Sequence, residues 1–345
     1  MNGEPAMAQP AYRDWAAAGI SALQRWYVPR TGRWRTTGWW NAANALTAVV
    51  RYTRHTGDQA YAGVVETTFR AARRRHPGFI NRMFDDNGWW ALAWIAAYDL
   101  TGDARYLGAA RAIFAHNRSG WDAACGGGLW WNTDRRYKNA ITNELFLTLA
   151  ALLHQRIPGD QACRAWALRA WDWLHASGLI NAASLVNDGL TPDCVNNGGP
   201  TWTYNQGVIL GGLAALYELT GDAAYLRQGE AIADATLKSL TGPAGILADP
   251  REPAGSKGDH TQFKGIFVRY LHDFSGQSPR PAYRDFILAN ARSIWHSARN
   301  ERDQFGLRWA GPFDRADASR QSSALDALTA AAALGGGPLE AGTST

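Results

Sequence analysis

The chain has 345 residues, 46% of them hydrophobic and 19% charged, with a formal net charge of +5. That balance describes a soluble globular protein long enough to bury a sizeable core, and no apolar run approaches the roughly 20 residues of a membrane span. The positive charge is almost all arginine, scattered along helical stretches except for Arg73-Arg74-Arg75, a pattern of solvated helix faces that argues against a nucleic-acid partner.

Cys125, Cys163 and Cys194 stand far apart with no histidine at ligand spacing, which allows one disulfide and argues against a structural zinc site. No motif for a nucleotide, a metal or another cofactor occurs, so none is expected. Residues 1–10 lack the basic and apolar regions of a signal peptide, so the expected location is the cytoplasm, or outside the cell after removal of a leader.

A turn recurs along the chain as Thr56-Gly57-Asp58, Thr101-Gly102-Asp103 and Thr220-Gly221-Asp222, with a weaker copy at Pro158-Gly159-Asp160. Glycine suits the left-handed position that ends one helix, and aspartate caps the start of the next. In chain order the pattern predicts helices at about 11–26, 39–56, 59–75, 86–101, 104–117, 140–156, 160–176, 204–219, 223–238, 263–274, 282–298 and 321–334. The second of these and every alternate one after it is apolar nearly all round, as in Ile209-Leu210-Gly211-Gly212-Leu213, and belongs inside; the others carry arginine, glutamine and glutamate on one face. Six buried helices alternating with six amphipathic ones predict an all-α fold, an (α/α)6 barrel or toroid of six inner and six outer helices. Residues 1–334 are expected to form one domain, and 335–345, rich in glycine and threonine, a disordered tail.

The turns at Gly-Asp are short, whereas the connections into the inner helices are long. All inner-helix starts therefore fall at one end of the ring. This mouth gathers Trp39, Trp40 and Asn41; Asp85 and Asp86; Lys138, Asn139 and Asn143; Tyr204, Asn205 and Gln206; Phe263 and Lys264; and Gln321. Seventeen tryptophans and 12 tyrosines exceed what a core needs, and indole faces pack well on sugar rings. Asp85-Asp86, followed by Trp89, Trp90 and Trp94, supplies the two carboxylates that glycoside hydrolysis requires. The same pair before an apolar run also suits a helix start, with one carboxylate capping free N–H groups.

Asp85-Asp86 with Trp89-Trp90-Ala91-Leu92-Ala93-Trp94, then Cys125-Gly126-Gly127-Gly128, Trp130-Trp131, Lys138-Asn139-Ala140 and Asn143-Glu144, resemble glycoside hydrolase family 76. So do Asp188-Gly189, Thr203-Tyr204-Asn205-Gln206-Gly207, Phe263-Lys264-Gly265-Ile266-Phe267 and Gln321-Ser322-Ser323, in order from about Trp39 to Leu334. The resemblance implies an (α/α)6 barrel and a retaining α-1,6-mannanase with Asp85 as nucleophile and Asp86 as general acid/base. Retention needs carboxyls about 5 to 5.5 Å apart, which neighbours reach most easily at a loop-to-helix junction. It also needs Asp85 ionised while Asp86 holds a proton, so the pair should titrate as a coupled unit.

Expected substrate contacts are Trp39, Trp130, Trp131, Asn139, Asp188, Tyr204, Asn205 and, through a cation, Lys264; Asp188 is equally readable as a turn-stabilising residue, and Lys264, like Lys138, as the partner of a nearby acid. The expected partner is an α-1,6-linked mannan or manno-oligosaccharide, cleaved internally by a monomeric enzyme. Alternatives are a cell-wall mannan transglycosidase, a non-catalytic mannan-binding protein, or a sugar isomerase on the same barrel.

Overall fold

The computed structural model describes residues 10–242, 244–252 and 258–335. Twelve α-helices lie among them: α1 (Pro10–Gln24), α2 (Trp39–Thr56), α3 (Gly63–Arg75), α4 (Phe84–Thr101), α5 (Ala104–Asn117), α6 (Ala140–Arg156), α7 (Gln161–Ala176), α8 (Thr203–Thr220), α9 (Ala224–Ser239), α10 (Phe263–Gln277), α11 (Pro281–Ser297) and α12 (Ala318–Gly335). A two-stranded antiparallel ribbon, β1 (Tyr27–Val28) and β2 (Arg33–Trp34), precedes α2. Gly335 closes α12 instead of opening a tail, and the rest of the expected tail lies outside the described residues.

The even-numbered helices pack each on the next, and α12 returns to α2, which closes a ring. The odd-numbered helices lie outside it, giving the expected (α/α)6 barrel. Inner helices are buried nearly all round: in α4, Trp89, Trp90 and Trp94 all lie in the core. Close approach within the ring requires glycine at Gly265, where a Cβ would stand 2.3 Å from the backbone oxygen of Ser323 on α12. No helix of the described residues is long and apolar enough to cross a membrane.

One end of the ring is built from the repeated turn. Gly57, Gly102 and Gly221 are left-handed and return their N–H to Thr53, Tyr98 and Tyr217. The threonine before each glycine has its own task. Its hydroxyl donates to the carbonyl four residues back (Tyr52, Ala97, Leu216) and accepts the N–H of the aspartate two residues on. Asp103 and Asp160 then cap α5 and α7 through the N–H groups of Arg105 and Cys163. Asp58 and Asp222 depart from the expectation: Asp58 accepts from Ala60 N and the Tyr52 hydroxyl, and α3 begins only at Gly63 without a side-chain cap, while Asp222 accepts from Ala224 N but α9 is preceded by Ala223 and has no side-chain cap.

The other end is held by a second repeated device, placed at the fourth residue of four inner helices. Asn87, Asn143 and Gln206 each accept a backbone N–H from the preceding loop (Asn81, Leu129, Val186) and return an amide N–H to the carbonyl of that same residue. Gln321 accepts from Phe305 N and donates to the carbonyls of Asp303 and Gly19. Inner-helix amides thereby fasten the long loops over the mouth. The loops before α6 and α8 are joined further by a disulfide, Cys125–Cys194, while Cys163 is a buried free thiol.

Candidate active site

Asp85 and Asp86 lie inside the first turn of α4, two residues later than a loop-to-helix junction would put them, because the helix already starts at Phe84 behind Met83. Neither is the N-cap. Consecutive helical positions diverge by about 100°, and the two carboxyls accordingly take different partners. Asp85 accepts the indole N–H of Trp131 at 2.9 Å and, at the free helix N-terminus, the N–H of Asp86 at 2.9 Å. Asp86 accepts the amide N–H of Asn81 at 2.6 Å, and Asn81 is fixed in turn by Asn87.

Burial and the charge of Asp86 push the Asp85 carboxyl up to about 8, while burial, opposed by the Asn81 hydrogen bond and aided by the charge of Asp259, pushes Asp86 up to about 6. At neutral pH the pair therefore holds one proton between them. The two carboxyls titrate as a coupled unit, as the sequence led one to expect, with burial raising both.

Around the pair the mouth is aromatic and acidic. Trp131 is 37% exposed, unusually open for a tryptophan in a chain whose other indoles are more enclosed, and its N–H grips Asp85. Tyr204 stacks on Phe263 with ring centroids 3.8 Å apart, and feels the charges of Asp188, Asp85, Glu144 and Asp259. Asp188 is no turn residue: its carboxylate accepts from the Tyr137 hydroxyl and, at 3.0 Å, from the Trp202 indole.

Several expected contacts have other work. Trp39 is packed between His76 and Trp90, at 3.9 and 4.5 Å between centroids, with its indole nitrogen buried. Its neighbour Trp40 faces the site instead, donating to Asp259 at 2.9 Å. Trp130 points away from Asp85, with its N–H on Asp122 and its ring under the Lys138 ammonium. Asn139 caps α6 through Thr142 N. Asn205 has no such other work: it is fully buried, and its side-chain amide has no hydrogen-bond partner among the described residues. All three donors of Lys264 are taken by Glu252 and the Leu307 carbonyl, leaving none for a sugar hydroxyl.

Residues outside the sequence-based set complete the site: Asn81, Asp259, Tyr137 and Trp202, while Trp40, placed at the mouth but not among the expected contacts, joins them. Glu144 belongs with them as a buried neighbour: fully enclosed, unpaired among the described residues, and held well above the usual carboxylate range by burial and the charge of Asp188. A polar cleft of ≈ 550 Å³ lined by Asn41, Asp259, Arg315 and Asp317 extends the mouth beyond Asp259.

A helical toroid with a proton-sharing carboxylate pair in an indole-rimmed mouth defines a class, the glycoside hydrolases. Within it, the model of glycosyl hydrolase family 76 matches residues 21–341, and the chain belongs to that family. A mannan endo-1,6-alpha-mannosidase of Candida albicans is 27% identical over 301 residues, 79% of this chain and 66% of its own length. A putative mannan endo-1,6-alpha-mannosidase of Schizosaccharomyces pombe is 26% identical over 85% of this chain and 72% of its own. The chain thus spans about two thirds of the length of these relatives. Among solved structures, an inactive variant of a Salegentibacter α-1,6-mannanase, with two consecutive aspartates changed to alanine and α-1,6-mannotetrose bound, superposes with a TM-score of 0.84. It is 24% identical, over 94% of this chain and 99% of that one, a likeness in fold.

Proposed function

We propose that the chain is a retaining, endo-acting α-1,6-mannanase in which Asp85 attacks the anomeric carbon and Asp86 serves as general acid and then base. The observation that carries this reading is the half-buried Asp85-Asp86 pair, which holds one proton at neutral pH and whose Asp85 accepts the N–H of the exposed Trp131 indole. The relatives named above act on the 1,6-linked mannan backbone, and the Salegentibacter protein lost activity with its two aspartates.

When a mannose ring covers the pair, positive charge developing at C1 favours ionised Asp85, and the shared proton passes to Asp86 beside the glycosidic oxygen. Asp85 then forms the bond to C1 as Asp86 protonates the departing oxygen. In the second step Asp86 takes a proton from water, which attacks C1 and releases Asp85. The N–H groups of Trp131 and Asp86 stabilise the Asp85 carboxylate each time it is freed. Asp188, with both oxygens already oriented by Tyr137 and Trp202, holds sugar hydroxyls, and Tyr204 and Trp131 pack on ring faces. The cleft beyond Asp259 gives further sugar units room, which suits internal cleavage.

The test is product analysis with α-1,6-, α-1,3- and α-1,2-linked manno-oligosaccharides. Cleavage confined to the α-1,6 series, with internal cuts in the longer members, is the expected result. Hydrolysis of another linkage in preference would overturn the substrate assignment, and products longer than the starting chain would mark transfer in place of hydrolysis.

A further inference from the structure

Beside the mouth, the end of α3 and the β1–β2 ribbon gather basic groups that the hydrolytic steps do not use. Arg73, Arg74 and Arg75 close α3, and Arg33 arrives on β2. The ribbon is pinned to the helix: Tyr27 shares a 2.9 Å hydrogen bond with Thr68, and Gly32 sits so near that a Cβ would stand 2.9 Å from the Thr68 carbonyl oxygen. Arg33 is thereby held where it feels the charge of Arg75, and His76 feels both guanidinium groups.

No acid answers this charge among the described residues. Glu66, the carboxylate of α3, is taken by Arg70 and Arg105, and the Arg33 Nε is buried without a hydrogen-bond partner. Basic residues at a helix C-terminus complement the helix dipole, which accounts for Arg73 to Arg75 but not for a fourth cation brought from another element. The cluster is linked through aromatic rings to α4, the helix that carries Asp85 and Asp86. His76 stacks on Trp39 and Trp39 on Trp90, which follows Asp86 by one helical turn on the same face of α4.

We propose that Arg33, Arg75 and His76 form an anion subsite at the rim of the mouth that takes a phosphate ester carried by the mannan chain. Two planar guanidinium forks and an imidazole N–H match the terminal oxygens of a phosphomonoester, which carries more charge than a carboxylate and pairs bidentately with arginine. The inference rests on the mannanase reading and adds a substrate class to it: mannan bearing phosphate.

The test compares phosphorylated α-1,6-mannan with the same polymer after phosphatase treatment, for the wild type and an Arg33→Gln/Arg75→Gln double variant. The double variant should raise KM roughly tenfold on the phosphorylated polymer, the scale of losing charge-assisted hydrogen bonds, and leave its kcat and all kinetics on the treated polymer unchanged. Inorganic phosphate should weaken turnover of the phosphorylated polymer alone. Equal effects on both polymers, no effect on either, or the same loss from Arg74→Gln would overturn the subsite. Binding to phosphatidylinositol vesicles that needs Arg33 and Arg75, without a kinetic difference between polymers, would overturn it in favour of a lipid headgroup. Failure to cleave the treated polymer at all would instead sink the mannanase reading, so the two failures are distinguishable.

Discussion

The proton shared by Asp85 and Asp86 governs behaviour at the scale of single residues. On the proposed roles, activity requires one proton on the pair: with two there is no nucleophile, and with none there is no acid. The kcat/KM profile of the free enzyme should therefore be a bell with limbs near about 6 and about 8; a profile flat across that range would contradict the assignment. The same shifts carry a stability consequence. Both folded-state values are raised, so the pair's contribution to stability is full below the unfolded carboxylate range near 4 and is lost as pH rises through about 6 and about 8. Asp85→Asn should thus abolish turnover yet raise Tm, most clearly above pH 8, as thermal melts across a pH series would register. Trp131→Phe keeps the ring and deletes the N–H that favours ionised Asp85. Its basic limb should move to higher pH while kcat falls; an unmoved limb would show that the indole only packs.

Among elements, the two ends of the barrel differ in how plainly the sequence announces them. The Thr-Gly-Asp turns were legible because each residue type answers one backbone need: a left-handed glycine, a helix cap, and a hydroxyl bridging helix end to turn. The alternation of buried and amphipathic helices followed from the same spacing. At the mouth end, identical residue types serve opposite purposes. An asparagine or glutamine near a helix start can bind sugar or fasten a loop, and Asn87, Asn143, Gln206 and Gln321 do the second. Trp39 and Trp40 are adjacent, and only the helix phase decides that Trp40 faces Asp259. The acid that occupies Lys264 comes from a loop, Glu252, that no spacing rule connects to it. The loop-fastening role has a measurable cost: Gln206→Ala leaves buried N–H and C=O groups of Val186 unpaired and should destabilise by about 1–3 kcal/mol in denaturant melts. A smaller loss than about 0.5 kcal/mol would mean the loop is held by its other contacts.

For the whole molecule, closure of the ring joins α12 back to α2, and the Cys125–Cys194 disulfide ties together two of the loops that carry the site. The sequence allowed one disulfide without naming the pair, because connectivity depends on which loops meet over the mouth. With a sequence separation of 69 between the cysteines, loop-closure entropy alone corresponds to about 4 kcal/mol. Reduction, or the Cys125→Ser/Cys194→Ser variant, should lower the denaturation midpoint accordingly, and an unchanged midpoint would show that the helical ring already fixes both loops. The central claim, however, is chemical: one aspartate of an adjacent pair attacks and its neighbour handles the proton. The measurement that tests it most directly is proton NMR of the anomer first released from α-1,6-mannotetraose, for the wild type and for Asp85→Asn. Retention predicts that the α-anomer appears first and that Asp85→Asn releases none. First release of the β-anomer, or turnover by Asp85→Asn near the wild-type rate, would contradict the account.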